Sequence, residues 1–212
     1  MSAAVTIAVP KGRILKPLAA LLARAGIASD VLLADDRALI RVADHEVRFL
    51  LLKPDDVPTY VEYGAADLGV CGRDVLAERE SDLYQPLDLG IGKCRMVVAG
   101  PVGQDEPRDL PRVATKYPRT AAAHFARRGV QAEIVYVGGS VELAPITGLS
   151  DLIVDLVETG STLVKNGLAE REIVAKVSSV LVANRASYKL RRAEIAPIVE
   201  RIRQAVEASD AD

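Results

Sequence analysis

Residues 152–163 read LIVDLVETGSTL, an apolar run holding one acid, Asp155, then a loop of Thr, Gly and Ser that passes directly into helical spacing. That order commits the region to a strand–loop–helix unit. Asp155 is bracketed by Leu152, Ile153, Val154 and Leu156, and an acid in a strand destined for burial is costly unless something engages it. A buried strand followed by a Ser/Thr helix cap accounts for the loop. It leaves the acid unexplained. A sugar-phosphate site accounts for both. Asp155 can accept two ribose hydroxyls, and the backbone N–H groups of Glu158, Thr159, Gly160, Ser161 and Thr162 can cradle a phosphate at a helix N-terminus. Gly160 allows close approach of the backbone to a ligand.

The rest of the chain repeats this alternation. VTIAV reads as a strand, PKGR as a tight loop, and ILKPLAALLARAG as a helix stopped at Gly26. VLLA, ALIRV and VRFLLL read as strands, DDVPTYVEYG as a helix, DLGVCG as a short buried strand, and RDVLAERE as a helix. IGKCRMVVAGP and RVATKY are strands, RTAAAHFARRG a helix, AEIVYV a strand, and VELAPITG a short helix. After LIVDLV comes the short helix TLVKNGL, an extended EIVAKVSSVLVANR, and the amphipathic AEIAPIVERIRQAVEA. Alternating strands and helices predict an α/β protein with a largely parallel sheet and short loops at one edge.

Composition sets the outer bounds. At 212 residues the chain is one domain or two small ones. Aromatics are 4% and Trp is absent, so the core is expected to be aliphatic. A net charge of −2 gives no support for general attraction to nucleic acid or membrane. Cys71 and Cys94 have no metal spacing and fit a reducing, cytoplasmic setting. His45 and His124 have no partner pattern. MSAAVTIAVPKGR lacks the basic start and apolar core of a signal peptide, and no apolar run is long enough to span a membrane.

Several charged residues stand where open sheets bind ligands. Lys11 and Arg13 follow the first strand, and Lys53 ends another. Taken alone, the first two are ordinary loop charges and Lys53 a snorkelling stem. Arg37 follows two aspartates and reads equally as a surface ion pair. Asp67 and Gly72 bound a short strand, where Asp67 is either a local cap or a ligand group. Glu142 follows Gly138 and Gly139, a helix start or a site open to close approach.

As a set, these blocks resemble the ATP phosphoribosyltransferase family, which catalyses the first committed step of histidine biosynthesis. The resemblance is carried by PKGRI (residues 10–14), DVPTYVEYGAADLGVCGRDVL (56–76), ATKYP (114–118), GGSVELAP (138–145) and GLSDLIVDLVETGSTLVKNGL (148–168). It departs from the commonest phosphoribosyl-pyrophosphate (PRPP) motif, which has two adjacent acids, in carrying Leu156 at the second.

The resemblance implies a two-lobed α/β fold like a type II periplasmic binding protein, with a central cleft. Lobe I would be residues 1–95 with 180–212, and lobe II residues 96–179. It implies transfer of the phosphoribosyl group of PRPP to N1 of ATP. Arg13, Arg37 and Lys11 would stabilise the leaving pyrophosphate. Glu142, Asp155 and the loop Glu158, Thr159, Gly160, Ser161 and Thr162 would bind PRPP. Lys53, Asp67, Gly72, Lys116 and Tyr117 would contact ATP or line the cleft. Mg²⁺ would be carried mainly by substrate phosphates, with no assigned protein ligand. The length resembles the short form of the family. A homodimer core would then join a histidyl-tRNA-synthetase-like regulatory subunit in a hetero-oligomer, a hetero-octamer.

Competing readings are a solute-binding protein of the same fold, the ligand-sensing domain of a transcription regulator, and a phosphoribosyltransferase for another base. The phosphate loop, the absence of an export signal or helix-turn-helix segment, and the PKGRI opening with a single acid at Asp155 argue against them in turn.

Overall fold

A computed structural model describes residues 4–34, 38–44, 46–103 and 109–210. Its contacts divide the chain into two compact units, residues 1–92 with 178–212 and residues 93–177. Against the expected boundaries, residues 93–95 belong to the second unit and 178–179 to the first.

In the first unit, β1 (Val5–Pro10) leads through a short loop into α1 (Leu15–Arg24). The antiparallel pair β2 (Ile40–Val42) and β3 (Val47–Leu52) follows. Next come α2 (Val57–Glu62), β4 (Leu68–Gly72), α3 (Arg73–Arg79) and β5 (Tyr84–Asp88). The chain then builds the second unit. β6 (Cys94–Pro101) and β7 (Arg112–Thr115) precede α4 (Pro118–Arg127), which opens on a proline as first turns allow. β8 (Glu133–Tyr136), α5 (Leu143–Ile146), β9 (Leu152–Val157), α6 (Ser161–Lys165) and β10 (Leu168–Val177) complete that unit. β11 (Ser179–Ala183), α7 (Arg185–Leu190) and α8 (Arg192–Asp210) return to the first.

The first sheet runs β2-β3-β1-β4-β11-β5 and the second β10-β6-β9-β7-β8. β1 lies parallel to β3 and β4, and β7 parallel to β8 and β9. The other pairings are antiparallel. The sheets are therefore mixed, where a largely parallel sheet was expected. In the first sheet β11 returns from the second unit and inserts antiparallel between β4 and β5, and β2 pairs with β3 as a hairpin; in the second, β6 runs antiparallel to both of its neighbours, β9 and β10. VLLA, expected as a strand, is a 3₁₀ turn over Asp30–Leu33 whose Leu32 N–H bonds locally to the Ser29 carbonyl at 2.9 Å. Short apolar runs do not distinguish the two. The extended stretch after Leu168 is two strands in different sheets, divided at Ser178.

Central strands are buried on both faces, and alternation sorts their side chains. Val5, Ile7 and Val9 of β1 pack with α1 and α8, while Ala8 faces Val57 and Val61 of α2. In the second unit, Met96 and Val98 of β6 meet Ala121 and Phe125 of α4. Val97 and Ala99 meet Leu163 of α6 and Ala144 of α5.

Candidate active site

The loop at residues 158–160 sits where the carboxyl ends of parallel β7 and β9 meet helix starts, the place where open sheets bind ligands. β9 alternation places Ile153, Asp155 and Val157 on the α6 side of the sheet, with Asp155 paired to Val97 of β6. Leu156 points the other way, into the cluster packed by α4. An acid there would enter an apolar core, which gives a physical reason for the single acid.

Asp155 is half-buried, and its Oδ1 accepts the Leu156 N–H at 2.8 Å. Burial pushes its carboxyl above the usual carboxylate range, and the charge of Glu142 adds to the effect. The Leu156 N–H and the Lys116 ammonium oppose the rise without cancelling it. Glu142 stands at the start of α5, just after Ser140, whose φ of 49° is unusual for a non-glycine residue. Lys116 and Tyr117 leave β7 in a turn where the Tyr117 N–H donates to Thr115 Oγ1 at 2.9 Å. Thr115 in turn donates to the Val154 carbonyl at 2.7 Å, locking that turn to β9. The structure thus brings Glu142, Asp155 and Lys116 within electrostatic reach of one another.

After β9 the chain turns through Glu158, Thr159 and Gly160, with Gly160 at φ 81° capping α6. Thr159 Oγ1 donates to Ser161 Oγ at 3.1 Å and accepts the Ser161 N–H at 3.4 Å. Ser161 and Thr162 are exposed in the first turn of α6, whose leading N–H groups have no intrahelical acceptor. Beside the loop lies a group that sequence reasoning missed. Arg95 of β6 pairs with Glu170 of β10: Nε donates to Oε2 at 2.8 Å and Nη2 to Oε1. Nη1 of the same guanidinium donates to the Glu158 carbonyl at 3.1 Å. The hydrogen bonds from Arg95 hold the Glu170 carboxyl below its usual range.

In the first unit, Lys11 and Arg13 follow β1, Lys53 follows β3, and Gly72 ends β4. These strands are parallel, so all of these candidates gather at one carboxyl edge. A groove of about 620 Å³ opens there, lined by Lys11, Arg13, Lys16, Leu39 and Arg41 among others. Arg41 is buried and donates to the carbonyls of Val31, Ala34 and Ala38, bracing the groove wall. Arg37 lies outside the described residues, although Ala34 and Ala38 on either side line this groove.

Asp67 is the exception. It precedes β4, at the opposite edge of the sheet. Its Oδ2 accepts the Thr6 N–H at 2.9 Å and Arg191 Nη1 at 2.7 Å. Asp67 joins β1 to the junction of α7 and α8 instead of facing the carboxyl edge. At Gly72 a Cβ would stand 2.0 Å from Asp74 Oδ1, so that carboxylate would have to shift to admit a side chain. His124 is a core residue, 5.4 Å edge-on from Phe125 and 3.5 Å from Glu172 Oε2, whereas His45 lies outside the described residues.

Mixed α/β units, one of them carrying a strand–loop–helix at residues 152–165, define a protein of periplasmic-binding-protein fold. The periplasmic aliphatic sulphonate binding protein SsuA of Escherichia coli shares that fold. It has a TM-score of 0.63 at 14% identity, covering 100% of this chain and 71% of that one. A family model for ATP phosphoribosyltransferase matches residues 53–204. An ATP phosphoribosyltransferase of Sorangium cellulosum is 65% identical over 97% of each chain, and one of Geobacter metallireducens is 50% identical over 94% of this chain and 97% of its own. The ATP phosphoribosyl transferase (HisG:HisZ) complex from Thermotoga maritima aligns with a TM-score of 0.84 at 36% identity, covering 97% of this chain and 98% of that one. The chain belongs to the ATP phosphoribosyltransferase family.

Proposed function

We propose that the chain transfers the phosphoribosyl group of PRPP to N1 of ATP, giving N1-(5-phosphoribosyl)-ATP and pyrophosphate, the first step of histidine biosynthesis. The observation that carries this is the half-buried Asp155 set beside the loop at residues 158–162 and the start of α6, within the segment that the family model matches. Asp155 and Glu142 accept the ribose hydroxyls. The loop N–H groups and the hydroxyls of Thr159, Ser161 and Thr162 hold the 5-phosphate. Bond formation between adenine N1 and ribose C1 accompanies breaking of the C1–O bond, and that electron pair leaves on pyrophosphate.

The family resemblance assigns Arg13, Arg37 and Lys11 to the growing negative charge, which fixed cations stabilise. Arg grips phosphate bidentately, and Lys acts as a point charge. Lys116 and Tyr117, with Lys53 and Gly72, are assigned to contacting ATP or lining the pocket. No covalent nucleophile is required, so the chain's contribution is positioning and electrostatics.

Mg²⁺ prefers one or two carboxylates plus substrate phosphates. Among the described residues no group of three or more His, Cys, Asp or Glu side chains could hold a metal ion, so Mg²⁺ would be carried mainly by the phosphates of PRPP. Bound there, it would neutralise charge on the leaving group. We place the protein in the cytoplasm as a homodimer core. The similar Thermotoga maritima protein is a HisG:HisZ complex, and the family resemblance extends this to a histidyl-tRNA-synthetase-like regulatory subunit joined in a hetero-octamer.

The test is pyrophosphate release from ATP, PRPP and Mg²⁺, with mass analysis of the nucleotide. The expected product carries one added phosphoribosyl group. No turnover, even with the regulatory partner present, would overturn the reading.

A further inference from the structure

The guanidinium of Arg95 is committed in two directions. Nε and Nη2 grip both oxygens of Glu170, while Nη1 reaches the Glu158 carbonyl, the last peptide before the TGST loop. Its partner Glu170 comes from β10 and Glu158 from the end of β9, so a side chain of β6 ties together its two sheet neighbours. The pair also lies directly against the loop. A Cβ built on Gly160 would stand 3.2 Å from Glu170 Oε1 and 3.8 Å from Arg95 Nη2. About a third of each side chain remains exposed, 32% and 30%. Exposed ion pairs add little to stability, so stability alone is a poor reason for so specific a fork.

We propose that Arg95 and Glu170 form a strut that sets the position of the phosphate loop, making both of them positioning residues for PRPP. This rests on the function proposed above. The Nη1 bond fixes the Glu158 carbonyl, and with it the plane of the Glu158–Thr159 peptide whose N–H opens the cradle. A hydrogen bond accepted by the carbonyl also polarises that peptide and strengthens its N–H as a donor. Glu170 holds the fork from below and offsets the arginine charge. The anion is then met by the backbone and hydroxyl groups of the loop, not drawn onto Arg95. Lysine cannot replace this arrangement, because one ammonium lacks the planar fork.

Steady-state kinetics with PRPP and ATP varied separately, alongside thermal unfolding, test the strut. Arg95→Ala and Arg95→Lys are each expected to raise KM for PRPP about tenfold, as loss of supporting groups around a binding site does. KM for ATP should move less than about twofold, the signature of a defect confined to one substrate. Glu170→Gln retains an acceptor but loses the ionic fork, and should raise KM for PRPP about threefold. An unchanged KM for PRPP in Arg95→Ala would overturn the proposal. So would equal rises in both KM values with a large fall in unfolding temperature. If Arg95→Ala fails to fold, Glu170→Gln decides alone, and an unchanged KM for PRPP there is fatal to the strut. The wild-type arm separates the two levels: absence of phosphoribosyl-ATP there overturns the assigned function, and the strut with it.

Discussion

Asp155 carries a conflict between stability and function. Its carboxyl is pushed above the ordinary value of 3.8 mainly by burial, with the charge of Glu142 adding to the effect. A carboxyl raised in the folded state contributes most to stability below the unfolded value and loses that contribution as pH rises through the folded one. Ribose binding uses the ionised form, so PRPP affinity should fall in that same acidic window while the contribution of Asp155 to stability does not. Asp155→Asn removes the buried charge and keeps the shape. Calorimetry should show PRPP binding weakened by ~1.5–3 kcal/mol, the range for hydrogen bonds to a charged group. The unfolding temperature should hold or rise, and a clear fall would contradict the conflict. Arg13→Ala, by contrast, is expected to lower kcat by about 10²-fold with little change in ATP affinity, the pattern for charge stabilised only in the transition state. Wild-type turnover in that variant would remove Arg13 from the reaction.

Elements turn such residues into sites. The β9–loop–α6 unit works because Gly160 accepts φ 81° at the helix cap. Gly160→Ala should cost ~1–2 kcal/mol for the left-handed backbone, and its methyl would press on Glu170 Oε1. Chemical denaturation measures the first effect and KM for PRPP the second. Asp67 works between elements of a different kind, clamping β1 to Arg191 where α7 gives way to α8. Asp67→Ala leaves a strand N–H, and a part-buried guanidinium that keeps its Glu194 partner at 2.8 Å, without this acceptor. The expected loss is ~2–4 kcal/mol in denaturant titration, with KM for ATP unchanged. A rise in KM for ATP without lost stability would restore Asp67 as a ligand group. At this scale the strand, loop and helix of the phosphate site were legible, because period and capping chemistry are local signals. The clamp was not, since its members are 124 positions apart.

Over the whole molecule, the first unit depends on both ends of the chain. Ile195, Ile198, Val199 and Ile202 of α8 are buried in the cluster that also holds β1 and α1. Burying each such side chain contributes about 1.5–3 kcal/mol, so their sum rivals the ~5–15 kcal/mol stability of a typical protein. A chain ending at Ala183 should therefore lose cooperative unfolding, which calorimetry would show. Assembly is tested by light scattering with the histidyl-tRNA-synthetase-like subunit. The expected result is a larger complex whose turnover responds to histidine. Unchanged mass and response on mixing would remove the partner from the proposal.

What the amino-acid order determined unaided were features written within a dozen residues. These include the acid in the β9 run, the loop that leads to α6, the charges after β1 and β3, and the family blocks that join them. Such features depend on period, turn chemistry and residue type, all of which survive in a linear reading. Tertiary structure alone decided that Leu156 faces the α4 core, that Asp67 stands at the wrong edge for a ligand, and that the extended stretch after Leu168 divides between two sheets at Ser178. It also brought Glu170 to Arg95 across 75 positions. Those outcomes depend on which strands become neighbours and which way their faces turn, and only the assembled sheets determine that.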